Sequence, residues 1–264
     1  MKHATAKLEG KWALVTGASS GIGADLARNL ARAGCNLILT ARRENRLAAL
    51  RDELQEQHAI EVKVISSDLS TAVGPEALFK AVQALKVPVS VLVNNAGIGI
   101  NGQFTDNKRR AQLDLIQLNI ASLTELCQRF LAPMLDRGEG WILNVASLYA
   151  FTLGPGYAVY AASKHYVLNL SESLHYELKD RGIQVCALCP GPTRTEFFDV
   201  SGQSSNRSME NIMMDSDRVA RIGLKALLEG KPYVVTGRIN SLLASTVKFV
   251  PKTVQALTTK QISK

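Results

Sequence analysis

Seven short apolar runs recur along this chain, each set between turn residues and stretches with helical spacing, and this alternation narrows the fold more than any other feature. The runs cover residues 13–16, 37–40, 62–66, 89–93, 141–145, 183–189 and 233–235. Strands separated by helices cannot pair as tight hairpins, so they line up parallel. Right-handed crossovers then place helices on both faces. The pattern predicts a seven-stranded, doubly wound α/β sheet, with its longest helices over residues 108–135 and 160–181. At 264 residues, without an internal repeat or a dividing linker, the chain reads as one domain over 1–264. Ligands in such sheets sit beyond the carboxyl ends of the strands. Gly17, Asn94, Ser147 and Pro190 all follow those ends.

The first strand runs into Thr16-Gly17-Ala18-Ser19-Ser20-Gly21-Ile22-Gly23, and a helix is expected from about 21 to 33. Glycines there permit a tight turn, close approach of backbone to a pyrophosphate, and close packing of helix on strand, so the sheet is Rossmann-like. Their spacing at 17, 21 and 23 differs from the common GxGxxG fingerprint. Gly17-Ala18-Ser19-Ser20-Gly21 also satisfies GxSxG, the nucleophile elbow of serine hydrolases. Only sixteen residues precede Gly17, too few for the sheet and oxyanion loop that an elbow requires.

Lys164 follows Tyr160 by four residues, which on a helix places both on one face. A free phenol ionises near pH 10, and a fixed cation beside it favours the phenolate. The pair therefore suits proton transfer.

In this order the motifs resemble those of the short-chain dehydrogenase/reductase family, over roughly residues 8 to 236. Gly17, Ser19, Ser20, Gly21, Ile22 and Gly23 resemble its cofactor turn. Asn94-Asn95-Ala96-Gly97 resembles the motif after its fourth strand, and Pro190-Gly191-Pro192-Thr193 the turn that meets the nicotinamide. The resemblance implies hydride transfer between a nicotinamide and a carbonyl or alcohol carbon. It implies Asn119, Ser147, Tyr160 and Lys164 as catalytic residues. Tyr160 would exchange the proton and Ser147 would hold the substrate oxygen. Lys164 would lower the phenol pKa and hold the nicotinamide ribose, and Asn119 would anchor a water leading to solvent. It further implies cofactor contacts from Asp68, Leu69, Asn95, Ala96, Gly97, Tyr160, Lys164, Pro190, Gly191 and Thr193. A helix N-cap is a competing role for Asp68.

An acidic residue after the second strand would select NAD(H). Here that strand ends in Ala41-Arg42-Arg43, and Arg42 is placed to meet a 2′-phosphate, so the expected cofactor is NADP(H). The segment 193–215 mixes Ser, Asn and Asp with Phe197, Phe198, Met209, Ile212, Met213 and Met214, and by resemblance it is a substrate lid. Tyr149, Phe197 and Phe198, together with Ser147 and Tyr160, are the expected substrate contacts. Tyr157 has Ala161 four residues on and is a decoy. The preferred substrate is a small lipophilic ketone or aldehyde. An acyl chain on a carrier protein and a non-catalytic NADP(H)-binding sensor are the alternatives.

The remaining expectations are plainer. Cys186 and Cys189 form a CxxC, but residues three apart on a strand point to opposite faces, so buried thiols are expected. Cys189, near a strand's carboxyl end, is also a candidate for attack by thiol reagents. His and Cys spacing predicts no metal. No signal peptide or run long enough for a membrane span is evident, so a cytoplasmic protein is expected. The net charge of +8 is concentrated in the basic C-terminal extension 237–264. No nucleic-acid module accompanies it; weak contact with an anionic membrane or an acidic carrier is the alternative use. By resemblance the chain is a homo-oligomer, dimer or tetramer, paired through its two long helices.

Overall fold

A computed structural model describes residues 6–202 and 212–262. All seven expected strands form, and they make a single parallel sheet. Numbered with two short strands noted below, they are β1 Trp12–Thr16, β2 Asn36–Ala41, β3 Val62–Ser66, β4 Val89–Asn94, β5 Gly140–Val145, β6 Ile183–Cys189 and β9 Tyr233–Val235. Their order is β3-β2-β1-β4-β5-β6-β9, so the winding reverses between β1 and β4. That reversal opens a crevice above the strand ends.

The helices are α1 Gly21–Arg32, α2 Glu44–Gln57, α3 Gly74–Ala84, α4 Arg109–Ile116, α5 Leu123–Arg137, α6 Ala158–Leu178, α7 Phe197–Ser201, α8 Ser216–Leu228, α9 Arg238–Thr246 and α10 Lys252–Ile262. Period-two alternation along the strands feeds two cores, one on each face of the sheet. Ala13, Val15, Leu37 and Leu39 point into one; Trp12, Leu14, Ile38 and Leu92 point into the other. Cys186 and Cys189 divide in the same way. All four cysteines are buried and free. Burial pushes the Cys186 thiol up to about 12 and raises Cys189 further. Burial of Cys189 disfavours the thiolate that thiol reagents attack, which argues against the reactivity expected from its position.

The expected long helix over 108–135 is two helices, α4 and α5, joined by a π-helical turn at Gln117–Ser122. A wide turn of this kind shifts the register of the face it carries and often marks a site. Between β6 and β9, two two-residue strands pair in parallel, β7 Thr193–Arg194 with β8 Met214–Asp215. They close the base of the expected lid, whose residues 203–211, Met209 among them, lie outside the described residues. Among the described residues no helix is long and apolar enough to cross a membrane.

Candidate active site

The carboxyl ends of β1, β2, β4, β5 and β6 open into one cleft of about 570 Å³, within the roughly 300–1,000 Å³ usual for ligand sites. Every site residue expected from the sequence lines it except Gly23 and Asn119, which sit directly behind its wall.

At one end the β1–α1 turn is held from below. Thr16 Oγ1 accepts from the backbone N–H groups of Asn95 and Ala96, each at 3.0 Å. Asn95 Nδ2 returns bonds to the carbonyls of Thr16 (3.0 Å) and Gly17 (3.1 Å). Gly17 has φ +64°, and a side chain there would lie 2.7 Å from Asn95 Nδ2. Only glycine combines that backbone with that approach. Ser20 caps α1 without a side-chain bond, so the first-turn N–H groups remain available to an anion in the cleft. Asn95, read from sequence as a cofactor contact, is thus also the strut of the turn.

Beside the turn, Arg43 donates to the hydroxyls of Ser19 (3.0 Å) and Ser20 (2.8 Å) and pairs with Glu196 at 2.7 Å. Arg46 donates to the other oxygen of the same carboxylate. These two guanidinium hydrogen bonds hold the Glu196 carboxyl down to about 2. Sequence reasoning named Arg42, which also lines the cleft, and missed Arg43 and Glu196. The signal was the doubled arginine after β2; which of the two faces the turn depends on how the chain leaves the strand. Asp68 accepts from the Ser70 N–H and hydroxyl at 3.0 and 2.7 Å, closing a local turn. The residue before α3 is Val73, so Asp68 is not that helix's cap.

At the other end α6 brings Tyr160 and Lys164 under Ser147, two residues past the end of β5. Ser147 Oγ accepts from Tyr149 N–H at 3.2 Å. Lys164 Nζ donates to the Val145 carbonyl at 2.8 Å and lies 5.6 Å from the Tyr160 ring centre. Burial pushes the Tyr160 phenol up; a hydrogen bond with Ser147 opposes this, and Tyr149 and Tyr157 add to it. Burial also brings the Lys164 ammonium down to about 8. Among the protein's own groups burial prevails at the phenol, and no lowering by Lys164 accompanies it. A site that excludes water disfavours phenolate and ammonium alike.

Asn119 stands in the π-helical turn. Its oxygen accepts from Ile98 N–H at 3.0 Å, and its amide hydrogens go to Ile98 O (3.0 Å) and Ser163 Oγ (3.1 Å). The side chain ties the strand-end loop to α6, one residue before Lys164. Both donors are committed, so a water held here must itself donate.

Aromatic rings surround the phenol. Phe197 and Tyr149 lie 5.4 and 5.9 Å from the Tyr160 ring, and Phe198 stands against Phe197. Tyr157 packs 5.8 Å from Tyr160 and shares a hydrogen bond of 3.2 Å with Ser201 of α7. Tyr157 thus clamps α7. Opposite, Leu148 N–H donates to Pro190 O at 2.8 Å, zipping the ends of β5 and β6. Ile212, Asn240 and Leu243 complete the wall. Ile212 belongs to the segment expected to be a lid; no motif in the sequence marks Asn240 and Leu243, which come from a terminal helix distant in the chain. Among the described residues no three His, Cys, Asp or Glu side chains group as metal ligands.

The sequence profile of the family described as "short chain dehydrogenase" matches residues 11–206. A very-long-chain 3-oxoacyl-CoA reductase-like protein of Arabidopsis thaliana is 36% identical over 189 residues, 70% of this chain and 60% of its own length. The match thus spans about three fifths of that relative. A short-chain dehydrogenase from Sphingobium yanoikuyae, solved in complex with NADPH, superposes with a TM-score of 0.81 at 30% identity, over 90% of this chain and 94% of that one. A short-chain dehydrogenase/reductase from Burkholderia phymatum, solved with NAD, gives 0.79 at 25% identity, over 92% and 95%.

Proposed function

The chain belongs to the short-chain dehydrogenase family of oxidoreductases, and from the chemistry of its cleft we propose that it reduces a lipophilic ketone or aldehyde with NADPH. The observation that carries this reading is a Tyr160 phenol buried within a wall of aromatic rings and beside Ser147 and Lys164, where burial favours its acid form. The glycine turn and the α1 N-terminus suit a pyrophosphate, and Arg43 with the Ser19 and Ser20 hydroxyls suits a 2′-phosphate. Bound nicotinamide supplies the hydride. Tyr160 gives its proton to the carbonyl oxygen, Ser147 holds that oxygen in line, and the product is the alcohol. Lys164 binds the ribose and restores the proton, and a water at Asn119 leads to solvent. Segment 193–215 serves as the lid, with Phe197 against the phenol and Glu196 tied to Arg43 and Arg46. A second copy would pair through α4, α5 and α6, where Ile116 and Tyr166 are exposed.

The substrate class is tested by following NADPH oxidation against aliphatic, aromatic and steroid-like carbonyls. A 3-oxoacyl thioester belongs in the panel, because the Arabidopsis relative is named for that chemistry and an aromatic wall accepts an acyl chain. NADPH bound without turnover of any carbonyl would favour the sensor reading, although the presence of Ser147, Tyr160 and Lys164 together in the cleft supports turnover.

Cofactor choice has its own test. Arg43→Ala is expected to lower kcat/KM for NADPH by roughly 10- to 100-fold, the worth of charge-assisted hydrogen bonds to a phosphate. NADH lacks that phosphate, so its kcat/KM should stay within about threefold. Arg42→Ala, run beside it, reports whether the neighbouring arginine shares the contact; equal losses for both cofactors in Arg43→Ala would sink the assignment.

The pH dependence follows from Lys164. Its ammonium, brought down to about 8, is charged below that pH and neutral above it. Tyr160 is pushed above its ordinary value and keeps its proton throughout the neutral range. The rate of carbonyl reduction should therefore hold level through neutral pH and fall as pH rises past about 8. A profile still level well above that pH would show that the Lys164 charge does not assist the step.

A further inference from the structure

We propose that the C-terminal face, α9 through α10, docks on an anionic lipid surface with the mouth of the cleft turned toward it. On α9, Ala244 is buried and seats the helix on the body. The other face presents Ile239, Leu242 and Leu243 at i, i+3 and i+4, 83%, 65% and 45% exposed. Phe249 and Leu257 continue the apolar surface at 80% and 66% exposure. Leu243 also lines the cleft, and so does the exposed Ile212 of the lid. The apolar face is therefore continuous with the entrance to the site.

Charge decides what covers it. After Gly230 the chain carries Lys231, Arg238, Lys248, Lys252, Lys260 and Lys264 and no acidic residue. Lys231 pairs with Glu229, but among the described residues Arg238, Lys248 and Lys252 are in no salt bridge. Lys248 Nζ lies 5.1 Å from the ring centre of Phe249, so cation and aromatic share one spot. A second copy meeting this face about a two-fold axis would set these cations against themselves. A lipid surface with anionic headgroups offers acyl chains to the apolar residues and phosphates to the basic ones. Docking stands on this surface alone; its use, delivery of substrate from the bilayer, rests on the lipophilic-carbonyl reading.

Sedimentation with vesicles tests it, using phosphatidylcholine alone and phosphatidylcholine with phosphatidylglycerol in equal parts. At low salt the protein is expected to partition roughly 100-fold more strongly onto the mixed vesicles, since each of three basic residues near an anionic surface contributes about fivefold. High salt should remove that preference. Lys248→Glu/Lys252→Glu should abolish it, and Leu242→Ser/Phe249→Ser should weaken binding to both vesicles. Neither double substitution should change NADPH affinity, read by fluorescence, which shows that the variants are folded. Equal binding to the two vesicles, or none to either, overturns the proposal. Self-association in gel filtration that Leu242→Ser/Phe249→Ser abolishes, without vesicle binding, assigns the face to a second copy instead. Vesicle binding without turnover of any carbonyl would leave docking intact and remove only the reaction.

Discussion

Tyr160→Phe is expected to lower kcat for carbonyl reduction by on the order of a thousandfold while NADPH still binds. The substitution removes one oxygen and keeps the ring, so the packing of Tyr149, Tyr157 and Phe197 around it is retained. What is lost is the proton for the forming alkoxide. A thousandfold corresponds to about 4 kcal/mol of transition-state free energy, the middle of the range for a positioned general acid. Ser147 can still donate a hydrogen bond to that oxygen, which is why the loss is not larger. Tyr157→Phe is the matched control, since it removes a phenol 5.8 Å away that is bonded to Ser201. It should cost less than about tenfold in rate and about 1 kcal/mol in stability. The readouts are NADPH absorbance for turnover and fluorescence titration for binding. A Tyr160→Phe enzyme within tenfold of wild type would mean that another group supplies the proton.

The same pair shows how far the sequence can be read. Spacing of four places Lys164 beside Tyr160, and the structure keeps them on one buried face of α6. The sign of the net effect on the phenol was not legible. It depends on how much water the folded site excludes, a property of Phe197, Tyr149 and Tyr157 arriving from other segments. The seven strands were legible because each apolar run is bounded by turn residues and followed by a helical period. β7 and β8 were not, since two residues carry no period. Arg42 and Arg43 are neighbours of one chemistry, and only the path of the chain from β2 into α2 turns Arg43 onto Ser19 and Ser20. Asn240 lies far along the chain from Gly191, yet a side-chain carbon on Gly191 would collide with its amide. Contacts of that kind are written in topology, and local pattern does not reach them.

Gly23→Ala should weaken NADPH binding by roughly 100-fold or more, the scale set by loss of several backbone hydrogen bonds to a charged group. Gly23 has an ordinary helical backbone, so alanine's intrinsic preference would favour the change. Space forbids it. The added carbon would meet the Gly17 carbonyl oxygen and Asn95 Nδ2 closer than any side-chain carbon tolerates. The first of these is backbone, and it is pinned by Asn95 at 3.1 Å. Relief requires α1 to move off β1 or the turn to open, and either displaces the N–H groups that face the anion. Overpacking of this kind also costs about 1–3 kcal/mol of stability, so instability alone has to be separated from loss of the cradle. Gly138→Ala makes that separation. Gly138 caps α5 with φ +65°, far from the cleft, and nothing lies within 4 Å of where its side chain would go. Its alanine pays backbone strain of about 1–2 kcal/mol and should leave NADPH affinity untouched. If Gly23→Ala loses stability like Gly138→Ala but binds NADPH within about threefold of wild type, the turn does not carry the pyrophosphate. If affinity collapses only in Gly23→Ala, close approach of backbone to the anion is what this glycine provides.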